Sequence, residues 1–126
     1  MEIAVIKKFV TKDKQDRYIQ FLSSNKTRKK FLNVLPHFKD FKWNLFEELS
    51  NEHDILSKLQ ALNFKVNDCY VISEDSEIDE KILSIKEVLN KIGGYRDYAT
   101  ILVFGNADMI YFEGEPPHNR YISKFK

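Results

Sequence analysis

Residues 97–115, DYATILVFGNADMIYFEGE, constrain the fold more than any other stretch of the chain. Apolar, β-branched and aromatic residues run together on both sides of Gly105-Asn106-Ala107-Asp108. That break has a mechanism: Gly105 and Asn106 tolerate positive φ, and Asp108 can bond its own backbone. Ala99, Ile101 and Val103 fall on one side of the first strand, Tyr98, Leu102 and Phe104 on the other, and only Thr100 interrupts. Met109 and Tyr111 oppose Ile110 and Phe112 in the same way. Strands covered on one face alternate apolar with polar, whereas strands covered on both faces read as continuous apolar runs. Both faces of this hairpin therefore need cover, and helices are expected to supply it.

A further strand is expected at Asp68–Ser73, with Cys69 and Val71 on one side and Tyr70 and Ile72 on the other. Ser84-Ile85-Lys86-Glu87 is a capping box, and Ile85, Val88, Leu89 and Ile92 form one helical face that Gly93-Gly94 ends. Strand, helix and strand over about 35 residues is the length of a βαβ unit, so Asp68–Ser73 is expected to run parallel to a neighbour. In the N-terminal part, apolar spacing predicts two helices over 2–10 and 13–23, or one bent helix, with Asp13 a candidate N-cap for the second. Ser24 or Asn25 caps a helix through Leu35, which Pro36 closes. His37–Trp43 has no clean period and reads as an extended connection held by Phe38, Phe41 and Trp43. Asn44 to Glu47 looks like a capping box opening a short helical turn. Ser50 or Asn51 caps a helix carrying Ile55, Leu56, Leu59 and Leu62, with Asn63 at its C-terminal cap. The expected fold is α+β (mixed α/β): a small three-stranded sheet ending in a β-hairpin, with the N-terminal helices and one crossover helix packed on it. It forms a single domain over 1–126, made of a helical half (1–66), a strand–helix–hairpin half (67–115) and a tail (116–126) that docks through Tyr121, Ile122 and Phe125.

Ten Phe and six Tyr in 126 residues suffice for a packed core and exclude general disorder. No apolar run approaches the ~20 residues that span a bilayer. One cysteine, Cys69, cannot form an internal disulfide and fits a reducing compartment, so the chain is expected to be cytoplasmic. The net charge of +1 hides an asymmetry. Residues 1–45 carry 11 Lys/Arg against 4 Asp/Glu, a balance of +7; residues 46–92 carry 5 against 11, a balance of −6. Such a pattern speaks to partners and steering rather than to fold.

The chain resembles a family of short single-domain bacterial proteins of about this length. The resemblance runs through Asp16-Arg-Tyr-Ile-Gln-Phe-Leu22, Arg28-Lys-Lys-Phe-Leu32, His37-Phe-Lys-Asp40, Cys69-Tyr-Val-Ile-Ser-Glu74 and Tyr111-Phe-Glu-Gly-Glu115, and so covers nearly the whole sequence. The family has no assigned activity. What the resemblance implies is a free-standing domain, with no catalytic roles to carry over.

Candidate chemistry is sparse. His37, His53 and His118 do not pair at metal-ligand spacing, and His37 with Asp40 or His53 with Asp54 supplies two ligands where three or four must converge. No metal or cofactor is expected. Cys69 begins an apolar strand and reads as a small buried hydrophobe. Asp75-Ser-Glu77-Ile-Asp79 is similar to a calcium loop but has Glu80 where glycine and Lys86 where the bidentate glutamate belong. Glu113 and Glu115 are spaced to share a side of a strand, as paired carboxylates would. The most specific feature is Lys26-Thr27-Arg28-Lys29-Lys30. Placed at a helix start, it sets cations beside free backbone N–H groups, against the macrodipole, in an anion-attracting arrangement. Lys26, Arg28, Lys29 and Lys30 are the candidate anion or nucleic-acid residues, with Lys7, Lys8, Lys12 and Arg17 in support. The bland reading is that acids of the 46–92 half neutralise them. The expected function is a non-catalytic binding or regulatory module acting through contacts with another protein. The alternatives are nucleic-acid or phosphate binding through these residues, or an enzyme drawing on Glu113, Glu115, His37 or Cys69.

Overall fold

The structure, a computed structural model, describes residues 1–50, 54–92, 98–114 and 120–124. The chain begins with helix α1 (Glu2–Phe9), a 3-10 turn at Lys12–Lys14, α2 (Gln15–Leu22) and α3 (Asn25–Val34). Strand β1 (Phe46–Leu49), α4 (Asp54–Ala61), β2 (Asp68–Ser73), β3 (Ile82–Ser84) and α5 (Ile85–Ile92) follow. Strands β4 (Thr100–Phe104), β5 (Met109–Glu113) and β6 (Arg120–Ser123) complete the described elements. Local chemistry sets many of these boundaries. The Ser24 hydroxyl accepts from Thr27 N–H at 3.3 Å to open α3, and that of Ser84 accepts from Glu87 N–H at 3.1 Å to open α5. Asn63, at φ +54°, ends the α4 region in a left-handed turn whose next amide, Phe64 N–H, donates to Leu59 O.

The sheet corrects the three-stranded expectation. It has six strands in the order β1-β6-β5-β4-β2-β3, every pairing antiparallel. The three expected strands form its centre; the three missed ones lie outside them. β1 was hidden by its capping-box pattern: Trp43–Leu45 is a 3-10 turn, and the chain then extends because Phe46 and Leu49 bury on opposite faces while Glu47 and Glu48 stay exposed. β3 is three residues long in a polar setting, and β6 lies in the segment read as a tail. Short edge strands draw their order from the partner's free N–H and C=O groups rather than from their own pattern. The parallel expectation for β2 also fails. β2 is antiparallel to both β3 and β4, so the strands that run parallel are β3 and β4, one on each side of β2, and α5 crosses between them.

Register explains why both faces are apolar. Val71, Leu102, Tyr111 and Ile122 form one row across β2, β4, β5 and β6, while Ile72, Ile101, Phe112 and Tyr121 form the adjacent row. Side chains alternate between faces along each strand. The first row packs with Ile55 and Leu59 of α4 and with Ile85, Val88, Leu89 and Ile92 of α5. The second packs with Val5, Ile6 and Phe9 of α1, Tyr18 of α2 and Phe31 of α3. The sheet is therefore a middle layer, with α1–α3 on one face and α4 and α5 on the other. At the β4–β5 turn, Gly105 and Ala107 have φ near +64° and +61°, and Asn106 N–H donates to the Asp108 carboxylate at 3.1 Å. A Cβ on Gly105 would run into that carboxylate and approach the Phe64 ring to 3.2 Å. Among the described residues no helix is long and apolar enough to cross a membrane.

Candidate anion-binding cleft on the helical layer

Of the stretch Lys26–Lys30, the fold turns Arg28 inward and leaves Lys26, Lys29 and Lys30 exposed. Arg28 Nη2 donates to Glu2 at 2.7 Å, Nε donates to the same carboxylate at 3.0 Å, and Nη1 and Nη2 donate to Asp79. Tyr70 OH donates to Glu2 at 2.7 Å, and Ser73 N–H to Asp79 at 2.9 Å. Its side chain is 8% exposed, and the two acids hold its guanidinium further toward the charged form than usual, against the opposing effect of burial. Arg28 is thus a clamp: it ties α3 to the start of α1 and to the acidic 74–80 loop. For this one cation, the fold builds neutralisation by Asp79 of the acidic half together with Glu2 of the basic one. Lys30 Nζ lies over the Phe21 ring at 5.9 Å, and Lys29 lines a small depression with Leu32, Asn33 and Glu74.

A larger basic feature lies one helix away. A cleft of about 480 Å³ is lined by Lys14 from the 3-10 turn, by Arg17 and Tyr18 from the start of α2, by Asn33 and Val34 from the end of α3, and by His37, Phe38, Lys39 and Asp40. Local structure positions each group. Lys14, the residue before α2, and Arg17 in its first turn are three residues apart and so share a face. The Arg17 guanidinium rests over the Phe21 and Tyr18 rings at 5.6 and 6.0 Å. Residues 38–42 are held as an edge: Val10 and Phe41 form a bridge, Thr11 N–H donates to Asp40 O, and Lys42 N–H donates to Phe9 O. Tyr18 OH donates to the Asp40 carboxylate at the cleft wall. Burial, together with that bond, pushes the phenol up to about 12, so it remains a donor at any physiological pH. Lys14, Arg17 and Lys39 make no ion pair among the described residues.

Beside the cleft is an aromatic corner, a depression of about 370 Å³ lined by Trp43, Phe46, Glu48 and Tyr121. The indole N–H of Trp43 donates to Lys39 O at 2.9 Å, so a residue of the cleft holds the corner's ring in place. Tyr121 and Phe46 stand against the indole with centroids at 4.8 and 5.6 Å and planes at 58° and 57°.

The remaining sequence candidates scatter. Cys69 is buried, and burial foremost, then Asp68, pushes its thiol up to about 12, far from a reactive thiolate. Glu113 is buried and accepts from Tyr111 OH and from Arg120 Nε, both at 3.1 Å. Asp75 accepts from Glu77 N–H in a local turn of the acidic loop. Lys7, Lys8 and Lys12 are exposed, and Lys8 sits over the Phe9 ring. His53, Glu115, His118, Phe125 and the Gly93-Gly94 cap lie outside the described residues. Among the described residues no three His, Cys, Asp or Glu side chains converge as a metal site. Sequence reasoning found Arg17 but missed Lys14, Lys39, Trp43 and Tyr121. The signal was present in HFKDFKW, where lysines interleave with aromatics, but without a period it read as a connection. Comparison with protein-family models, with curated proteins and with solved structures finds no match to this chain.

Proposed function

We propose that the chain is a non-catalytic binding module and that the cleft at Lys14, Arg17 and Lys39 seats an anionic group of its partner. The observation that carries this reading is a division of labour among the cations. The acids Glu2 and Asp79 are spent on Arg28, while three cations around the cleft have no counter-ion among the described residues. Asp40, the one carboxylate in the lining, is engaged by Tyr18, which spreads its charge and leaves the balance of the cleft positive. A concave, partly apolar site with convergent charged groups is what anion recognition requires. Exposed Lys26, Lys29 and Lys30 extend the same positive layer and steer an anionic partner toward it.

The test uses inorganic polyphosphate as a probe of charge alone. Binding is expected to weaken steeply with salt, and a combined Lys14→Glu, Arg17→Glu, Lys39→Glu variant is expected to lose it while melting at nearly the wild-type temperature. Surface substitutions of this kind usually shift stability by no more than about 0.5 kcal/mol each. Absence of binding at about 50 mM salt, or binding indifferent to the triple charge reversal, ends the reading.

A further inference from the structure

We infer that the cleft and the Trp43–Tyr121 corner together form a site for single-stranded nucleic acid, in which a base stacks on the indole and the adjoining phosphates fall on the lysines and arginine beside it. The inference rests on the anion-binding reading above and names its ligand.

Its starting point is an exposed ring that is nonetheless held rigid. Phe9, Phe31, Phe38, Phe41 and Phe46 of the same aromatic cluster are buried, yet Trp43 is 38% exposed. Exposed aromatics usually have freedom; this one is fixed by its bond to Lys39 O and by Tyr121, Phe46 and Phe41 around it. A fixed, open indole loses little entropy when a flat group lies on it. The surroundings choose which flat group. Lys39 lines the cleft and holds the indole, Lys42 precedes Trp43 in the chain, and exposed Lys124 is tied in by its N–H to Leu45 O. Aromatic faces interleaved with cations are the elements of single-strand recognition: stacking takes the base, the cations take the backbone. Duplex is disfavoured because its bases are already stacked on one another and its grooves do not present a free face.

Glu48 sharpens the reading. It faces Tyr121 across the β1–β6 pair and lines the corner. A carboxylate there accepts from an exocyclic amino group, as acids accept from cytosine N4, and meets only an acceptor at thymine O4. Cytosine is therefore preferred over thymine. The competing occupant of an aromatic corner with one acid is a quaternary ammonium. The flanking Lys39, Lys42 and Lys124 oppose a cation and favour the polyanion.

Trp43 is the only tryptophan in the sequence, so indole fluorescence reads this one position. The whole chain is titrated with single-stranded oligodeoxycytidylate, oligothymidylate, duplex DNA, inorganic polyphosphate and tetramethylammonium. A saturable change in Trp43 fluorescence is expected with oligodeoxycytidylate, a weaker one with oligothymidylate and little with duplex. By anisotropy of labelled oligodeoxycytidylate, Trp43→Ala is expected to weaken binding roughly 10- to 100-fold. Trp43→Phe keeps a stacking face and the packing, and should retain most of the affinity; circular dichroism checks that both variants fold. Glu48→Gln should narrow the preference for cytosine over thymine. If Trp43→Ala binds the oligonucleotide as wild type does, while the triple charge reversal abolishes polyphosphate binding, the stacking site is wrong and the anion cleft stands. If tetramethylammonium perturbs Trp43 and no oligonucleotide does, the corner belongs to a cation and the inference falls. If wild type binds neither polyphosphate nor oligonucleotide, both readings fall.

Discussion

On one face of the sheet the helices meet it through rings mixed with aliphatics, on the other almost wholly through branched aliphatics. Phe9, Tyr18, Phe31, Phe38, Phe41, Phe46 and Phe112 build the first core, and the ring pairs formed between described residues all belong to this side. The second core is mainly Ile, Leu and Val, with Cys69, Phe104, Met109 and Tyr111 as its exceptions. The difference has a physical consequence. Aliphatic side chains have no polar end and ask only for cover, so α4 and α5 can sit on them without further conditions. Tyr and Trp carry a polar tip that must find a partner. On the aromatic face those tips fasten Asp40 and the Lys39 carbonyl, which shapes the cleft, and the rim of the ring cluster emerges as the exposed corner. The proposed recognition site therefore lies on the aromatic, basic face, opposite the aliphatic one.

The comparison can be broken by mutation. The largest effect is expected from Phe41→Ala, a fully buried ring that touches Phe38, Trp43, Phe46 and Phe112, at about 4 kcal/mol in urea unfolding. Leu89→Ala on α5 is expected to cost about 3 kcal/mol without changing polyphosphate or oligonucleotide affinity once folding is allowed for. Should it cost more than Phe41→Ala, or alter binding, the two faces would not differ as described. Arg28→Met strands two nearly buried carboxylates and should also cost about 3 kcal/mol, the range for breaking a buried pair, while leaving the cleft in place. A loss below about 1 kcal/mol would mean the clamp is no more than a surface ion pair.

Alkaline titration sharpens the same contrast with a smaller effect. Tyr18 is pushed above its ordinary value near 10 to about 12, and Cys69 on the opposite face rises from 9.0 to about 12. In both, the neutral form is favoured in the folded state. The sign follows: their contribution is complete below the unfolded-state values and is lost as pH rises through the folded ones. Stability should stay level up to about pH 9 and fall toward pH 12. Tyr18→Phe should make the fall between pH 10 and 12 shallower, leaving the shares of Cys69 and of Tyr70, whose phenol is also raised by burial and by Glu2. An equally steep fall in the variant would place the alkaline sensitivity elsewhere. Gly105→Ala, at φ +64° and against Asp108, should cost about 1 to 2 kcal/mol.

Much of the fold was legible in particular residues. Continuous apolar runs at Thr100–Phe104 and Met109–Glu113 demanded cover on both sides, and the register rows show that cover. Ser24, Ser84 and Asn63 marked helix ends by side-chain chemistry that works within a few residues. The edge strands were not legible. Phe46–Leu49 has a local pattern equally good for a helical turn, and its extended form is decided by pairing with Arg120–Ser123, seventy-odd positions away in the chain. The site divided along the same line. The charge excess of residues 1–45 could be counted from the sequence, but not which cation would be used internally. Arg28 sits among three lysines, and only the arrival of Glu2 and Asp79, 26 and 51 residues distant, separates it from them.

The sequence by itself determined the two-sided central strands, the helix caps and the uneven spread of charge, because periodicity, capping and charge act over distances shorter than a helix. Tertiary structure decided which strands join at the edges, that Arg28 is a clamp, that Lys14, Arg17 and Lys39 line one cleft, and that Trp43 is fastened to the Lys39 carbonyl. Those outcomes depend on backbone pairing and charge partnership between residues far apart in the chain, and no short window of residues contains both partners.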